Sequence, residues 1–219
     1  MKKILSLGLL MLVLVPVAYY FNKPSEEKKL NVLSPMDVNA EMVDPELRNI
    51  GRGHYIQAFE CLDQENKTFN SSSIQGKVWV VEYFFATCMG ICPIMNAQMQ
   101  RIQAAHLKDT NVVLLSFTVD PDQDTPEALG LYAEKHEAIP GKWFFLTGEK
   151  SMLYELARKS FFLLKPAEAK NQGDAGSDFI HTNNFVLIDK DKQIRGYYDG
   201  TNTKEVDALI HDISRLKME

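Results

Sequence analysis

The chain has 219 residues, a formal net charge of −5 and 45% hydrophobic residues, the composition of a folded globular protein rather than a disordered or collagen-like one. Three cysteines are too few to staple a mini-protein, and an odd number leaves at least one unpaired or assigns cysteines to chemistry instead of structure. The acidic balance, with no basic stripe interleaved with aromatics, argues against a nucleic-acid binder.

After Lys2 and Lys3, the 18 residues from Ile4 to Phe21 carry no charge. That length is at the lower limit for a membrane-spanning helix, and membrane helices tolerate a proline such as Pro16. Residues 1–21 therefore read as an N-terminal transmembrane anchor or a signal. The two lysines stay cytoplasmic, which places the rest of the chain outside. Neither a small-x-small cleavage site nor a cysteine follows the run, only Asn22-Lys23-Pro24, so a retained anchor is favoured over a cleaved leader. With no Arg- and Ser-rich transit peptide, the expected address is a bacterial cytoplasmic membrane, with the C-terminal domain facing the periplasm or the cell exterior. Residues 22–50 are polar, with Pro24, Pro35 and Pro45, and read as a tether. Residues 51–219 read as one domain.

In that domain Val78 to Phe85 is a nearly continuous apolar run, as expected of a strand buried on both faces. Cys88 to Cys92 follow. Met95, Met99 and Ile102 then recur at helical spacing, and Pro93 suits a first turn. Val112 to Val119 is a second buried strand. Thr125-Pro126-Glu127 opens a helix, with Thr125 as N-cap and Pro126 as first helical residue. Trp143 to Leu146 is a short strand ending at Thr147-Gly148, and Met152, Leu153 and Leu156 mark the next helix. Residues 166–178, rich in Ala, Gly and Asp, read as a flexible loop. Phe185 to Ile188 and Ile194 to Tyr198 form a hairpin around Asp189-Lys190-Asp191-Lys192, and Val206, Leu209, Ile210, Ile213 and Leu216 make a final amphipathic helix. This β-α-β-α-β-α-β-β-α order predicts an α/β domain: a central mixed sheet flanked by helices, with parallel βαβ units and the closing hairpin and helix of a thioredoxin-like fold.

Three constellations carry chemistry. Cys88 and Cys92 stand four positions apart where a buried strand turns into a helix. Side chains at i and i+4 of a helix share a face about 6 Å apart, so two thiolates can bind one ion. A helix N-terminus also favours the thiolate, the form that ligates metal and attacks disulfides. His181 lies just before the first strand of the closing hairpin, a segment that passes beside the cysteine loop in a thioredoxin-like sheet. Two thiolates and one imidazole form a soft three-ligand set suited to Cu(I), and also to Cu(II) or zinc. Asp120 and Asp124 in Val119-Asp120-Pro121-Asp122-Gln123-Asp124-Thr125-Pro126 cap a helix start, or support the cysteine loop from the adjacent parallel strand. The remaining cysteine, Cys61, reads as a small buried hydrophobe in an early strand. His54, His106, His136 and His211 read as ordinary surface or hydrogen-bonded residues.

With Phe84–Pro93, Val119–Pro126, Trp143–Gly148 and His181–Asp189 in place, the chain resembles the SCO/SenC family over roughly residues 50–215. That family comprises membrane-anchored, thioredoxin-fold copper proteins of cytochrome c oxidase assembly. The resemblance implies one copper ion, Cu(I) or Cu(II), held by Cys88, Cys92 and His181. It implies Asp120 and Asp124 as supporting groups, and as partner the cytochrome c oxidase subunit carrying CuA. The family often has an acidic residue directly before the histidine; here that place holds Ile180, and the nearest acid is Asp178. The expected activity is copper delivery to, or assistance in assembly of, the CuA centre. A thiol–disulfide oxidoreductase with Cys88 and Cys92 as redox-active residues is the alternative; against it, a C-x-x-x-C replaces C-x-x-C and no proline lies between His181 and Phe185. A thiol peroxidase would need an activating arginine, and Arg101 is over two helical turns from Cys92.

Overall fold

The computed structural model describes residues 14, 16, 29–51, 53–163 and 182–219. The anchor segment as a span, the 166–178 loop, Asp178 and His181 lie outside the described residues. Among those described, no helix is long and apolar enough to cross a membrane.

Among the described residues, seven strands form one mixed sheet in the order β2-β1-β5-β4-β3-β6-β7. The three central strands, β3 (Val78–Phe84), β4 (Val112–Thr118) and β5 (Trp143–Thr147), run parallel. They are joined by helices α1 (Cys92–Ala105) and α2 (Pro126–Lys135), the expected βαβ units. Every residue of β3 and β4 is buried, which is why both read as nearly continuous apolar runs instead of alternating ones. The closing hairpin, β6 (Asn184–Ile188) and β7 (Ile194–Asp199), pairs antiparallel, with β6 lying against β3 through Val81 and Val186.

Alternate residues of β3 point to opposite faces and define two cores. Trp79, Val81 and Tyr83 pack with Val113, Leu115 and Phe117 under α3 (Lys150–Glu155), its π-turn extension Leu156–Ser160 and the N-terminal segment. Val78, Val80 and Phe84 pack with Met95, Met99 and Ile102 of α1, Leu129 and Tyr132 of α2 and Leu209 and Ile213 of α4 (Thr203–Leu216). Trp79, Trp143, Phe117 and Phe145 are almost wholly enclosed, and burying each such side chain contributes on the order of 1.5–3 kcal/mol.

Two features differ from the expected order. A short hairpin, β1 (Glu60–Asp63) and β2 (Thr68–Asn70), extends the sheet beyond β5. Its strands each bury only one or two side chains, so no apolar run announces them. The turn between them is set by the Asp63 carboxylate, which accepts from the backbone N–H groups of Glu65 and Lys67, both at 2.9 Å. Residues 30–50, read as part of a tether, lie against the domain. The Leu33 N–H donates to the Ile194 carbonyl at 2.8 Å. Arg195, paired with Asp189 (2.8 Å) and Glu219 (2.6 Å), donates to the Leu30 carbonyl, and Val43 is fully buried. Leu33, Val38, Val43 and Leu47 supply this contact at spacings that fit neither a helix nor a strand.

Candidate functional site

The cysteine loop runs from the end of β3 to the start of α1. A turn closed by the Cys88 N–H on the Phe85 carbonyl (3.1 Å) carries the chain out of the sheet. Helix α1 begins at Cys92 with Pro93 in its first turn, as the sequence implied. Cys88 thus stands in the loop before the helix instead of sharing a helical face with Cys92. The two thiols nonetheless lie close enough for each to act on the protonation of the other.

Their environments differ. Cys92 is buried, and burial, with the neighbouring Cys88 thiol, pushes its pKa up to about 12. Cys88 is half-buried. The smaller effect of burial there is outweighed by the Cys92 thiol and by the backbone of Cys92, Gly90 and Ile91, which hold the Cys88 thiol below its ordinary value. All three cysteines are free thiols. Cys61 sits in β1, buried as expected, and burial raises its thiol to about 12. Alkylation of the native protein with iodoacetamide at pH 7.5 is therefore expected to modify Cys88 at least about 10-fold faster than Cys61 or Cys92. Peptide mapping over time measures this, and equal rates would remove the asymmetry.

Asp124 reaches the cysteine loop. Its buried carboxyl accepts from the Ala86 N–H, two residues before Cys88, at 3.1 Å, and from the Thr118 hydroxyl at 2.5 Å. Thr118 in turn accepts from the Asp120 N–H at 2.9 Å, and the Val119 N–H binds the Phe84 carbonyl at 2.9 Å. The end of β4 is thereby stitched to the loop that leaves β3. Burial, reinforced by the nearby Asp120, outweighs these bonds and raises the Asp124 carboxyl above its ordinary value. Asp120 contributes through its backbone and its charge. Thr125 caps α2 as expected, its hydroxyl accepting from the Ala128 N–H.

His181 and Asp178 lie outside the described residues, and among the described residues no three His, Cys, Asp or Glu side chains cluster as a metal site. Strand β6 runs antiparallel to β3, so its first residues lie at the end of β3 from which the cysteine loop departs. The other histidines are structural or peripheral. His54 and His106 are buried against backbone carbonyls of Ser160 and Ile210, His136 packs on Tyr132, and His211 is exposed.

Sequence reasoning passed over a polar group beneath the loop. Glu82, inside the apolar run of β3, is wholly buried. Burial drives its carboxyl up to about 8, against the lowering effect of a 2.6 Å bond from the Ser116 hydroxyl. The signal was an acidic residue within Val78-Trp79-Val80-Val81-Glu82-Tyr83-Phe84.

The SCO1/SenC family model matches residues 48–217. The SCO1 protein homolog of Bacillus subtilis is 31% identical over 161 residues, covering 72% of this chain and 80% of the relative. A SCO1/SenC family lipoprotein from Bacillus anthracis superposes with a TM-score of 0.64 at 29% identity, over 75% of this chain and 95% of its own. BsSco, a member of the Sco family of cytochrome c oxidase assembly proteins in which a disulfide switch was identified, gives a TM-score of 0.63 at 28% identity, over 75% and 94%. The mixed sheet with its flanking helices is thus the Sco version of the thioredoxin-like fold. The paired thiols at the start of α1 stand inside the matched region, and the chain belongs to the SCO1/SenC family.

Proposed function

We propose that this protein is a membrane-anchored copper carrier that delivers copper to, or assists assembly of, the CuA centre of cytochrome c oxidase. The observation that carries the reading is the pair of neighbouring free thiols, one held low, at the N-terminus of α1 in a SCO1/SenC chain. BsSco, a relative, belongs to a family of cytochrome c oxidase assembly proteins. Two soft sulfur donors fit copper, and a thiol already poised toward thiolate lowers the cost of proton release on metal binding. In this reading Cys88, Cys92 and His181 hold the ion, Asp120, Asp124 and Asp178 support its ligands, and residues 1–21 anchor the domain outside a bacterial cytoplasmic membrane. Copper would be cargo, and the acceptor the oxidase subunit that carries CuA.

The test is copper stoichiometry of the reduced full-length protein. One ion per chain is expected for the wild type. Cys88→Ala, Cys92→Ala and His181→Ala are each expected to lose more affinity than the roughly 10- to 100-fold that removal of a supporting group costs. Unchanged stoichiometry and affinity in His181→Ala would end the three-ligand reading.

A second reading, an extracytoplasmic thiol–disulfide oxidoreductase, draws on the asymmetry of the pair: an accessible thiol with a lowered pKa beside a buried one with a raised pKa. A dithiol potential at or below about −270 mV, joined to weak copper affinity, would favour it.

A further inference from the structure

The two ends of the sheet differ in charge and in what they expose. Strands β3, β4 and β5 all finish at the cysteine end, and the helices between them carry the chain back to the far end. There α1 stops at Ala105, α4 stops at Leu216, and β4 and β5 begin. The connecting loops interlock. The Val78 N–H donates to the Asn111 carbonyl and the Leu114 N–H to the Lys142 carbonyl, both at 2.8 Å. The Lys142 ammonium donates to the Asp109 carbonyl at 2.6 Å, and Lys217 pairs with the Asp109 carboxylate. The Gln103 side-chain oxygen accepts from the Ile139 N–H at 2.9 Å, which sets the loop before β5 beside the last turn of α1. Three large apolar side chains are exposed on this end: Leu107 (53%), Ile139 (37%) and Met218 (78%). Lys77, Lys108, Lys142, Lys190 and Lys217 stand in the same loops and at the end of α4. Asp109 is matched by Lys217, and Asp189 and Glu219 by Arg195, so that against Glu137 and Asp191 the end is basic on balance. The cysteine end is the reverse, with Asp120, Asp122, Glu127, Glu149, Asp199 and Glu205 beyond the strand ends.

The chain also enters the domain at the basic end. The Leu30 peptide is held on both sides: Arg195 donates to its carbonyl at 2.5 Å, and the Glu219 carboxylate accepts from its N–H at 3.0 Å. Arg195 follows the turn after Ile188, which pairs with Trp79 near the start of β3, so this clamp lies opposite the cysteine loop. Residues 22–29 separate the clamp from the anchor segment, and extended chain of that length reaches at most about 28 Å. We infer that the basic end is a docking surface for an anionic lipid bilayer, the one that residues 1–21 enter, and that the docked domain presents Cys88 and Cys92 away from the lipid. The inference rests on the anchor reading given under the proposed function. Lysines within a Debye length of an anionic surface are drawn to it, and apolar side chains beside them enter the headgroup layer. The acidic cysteine end is repelled by the same surface, which fixes the orientation. The seven residues of β3 hold the cysteine loop at least about 20 Å from the docked end.

The test uses full-length protein in vesicles of phosphatidylcholine with about one-third phosphatidylglycerol and a lipid bearing a nitroxide on its headgroup. Trp79 and Trp143 are enclosed, so an introduced surface indole reports contact with lipid. Leu107→Trp fluorescence is expected to be quenched at least about 3-fold more than that of Gln123→Trp, which lies at the cysteine end. Met218→Trp serves in its place if Leu107→Trp does not fold. Pure phosphatidylcholine, a rise in salt from about 0.05 to 0.5 M, or the added changes Lys77→Gln, Lys108→Gln and Lys190→Gln should each remove most of the difference. Equal quenching at the two ends, or a difference indifferent to lipid charge, salt and the three lysines, would overturn the inference. Quenching or emission that follows protein density and not lipid charge would assign the surface to a second copy of the chain, and overturn it too. An alkaline carbonate wash reads the anchor separately. If the wash releases the chain, the anchor reading fails. Sedimentation with the anionic vesicles before the wash then decides the surface: loss in the triple lysine variant supports it, and equal sedimentation of variant and wild type refutes it.

Discussion

Asp124→Ala is expected to cost about 1–3 kcal/mol of stability and to lower copper affinity about 10- to 100-fold. The carboxyl accepts from the Ala86 N–H and the Thr118 hydroxyl in a buried position. Alanine leaves both donors without a partner where water does not easily reach. Asp124 is itself expensive to bury, as its raised pKa shows, and its removal recovers part of the loss, which keeps the figure below the sum of two orphaned donors. The effect on copper arises from position. Ala86 is two residues before Cys88, and its N–H is the bond that ties the start of the cysteine loop to the end of β4. Urea unfolding measures the stability, and a competition titration with a chelator measures the affinity. Asp124→Asn, which keeps one acceptor oxygen, should lose less of both. An Asp124→Ala protein with wild-type copper affinity would show that the loop holds its shape without this bond.

Glu82→Gln is expected to stabilise the protein, on the order of 4 kcal/mol at pH 8, and to leave it nearly unchanged near pH 4.5. The folded-state pKa of Glu82 is raised to about 8 from an ordinary 4.5, chiefly by burial. The folded protein therefore binds a proton that the unfolded chain has released throughout that interval. Stability associated with this group is fully present below about pH 4.5 and falls as pH rises toward 8. Glutamine keeps the acceptor for Ser116 and the shape of the side chain but has no proton to lose. Urea midpoints of both proteins between pH 4.5 and 8.5 should diverge with increasing pH. A constant offset would mean that the difference is one of packing and not of ionisation.

The central strands were legible because burial on both faces leaves a plain trace: Val78 to Phe84 and Val112 to Thr118 hold almost nothing but apolar residues. The caps were legible for a similar reason. Thr125 and Pro126, or Pro93 one residue into α1, satisfy local backbone demands that depend on neighbours in sequence. The β1–β2 hairpin was not visible, since Cys61 and Phe69 are single buried residues in short, otherwise polar strands at the sheet's edge. Nor was the docking of residues 30–50, which depends on Arg195 and Glu219 arriving from the far end of the chain.

The cysteines follow the same division. The sequence by itself determined that Cys88 and Cys92 form a unit and that Cys61 stands apart, because spacing and the strand-to-helix junction are local properties. Only the tertiary structure decided that the two thiols differ in kind. Their pKa values are set by what lies around them: solvent and backbone N–H groups at Cys88, an apolar layer and Glu82 at Cys92. Glu82 is ten residues from Cys92 along the chain, and Ser116, which orients it, is on the neighbouring strand. Burial and electrostatic fields are sums over three-dimensional neighbours, and sequence order carries no record of those sums.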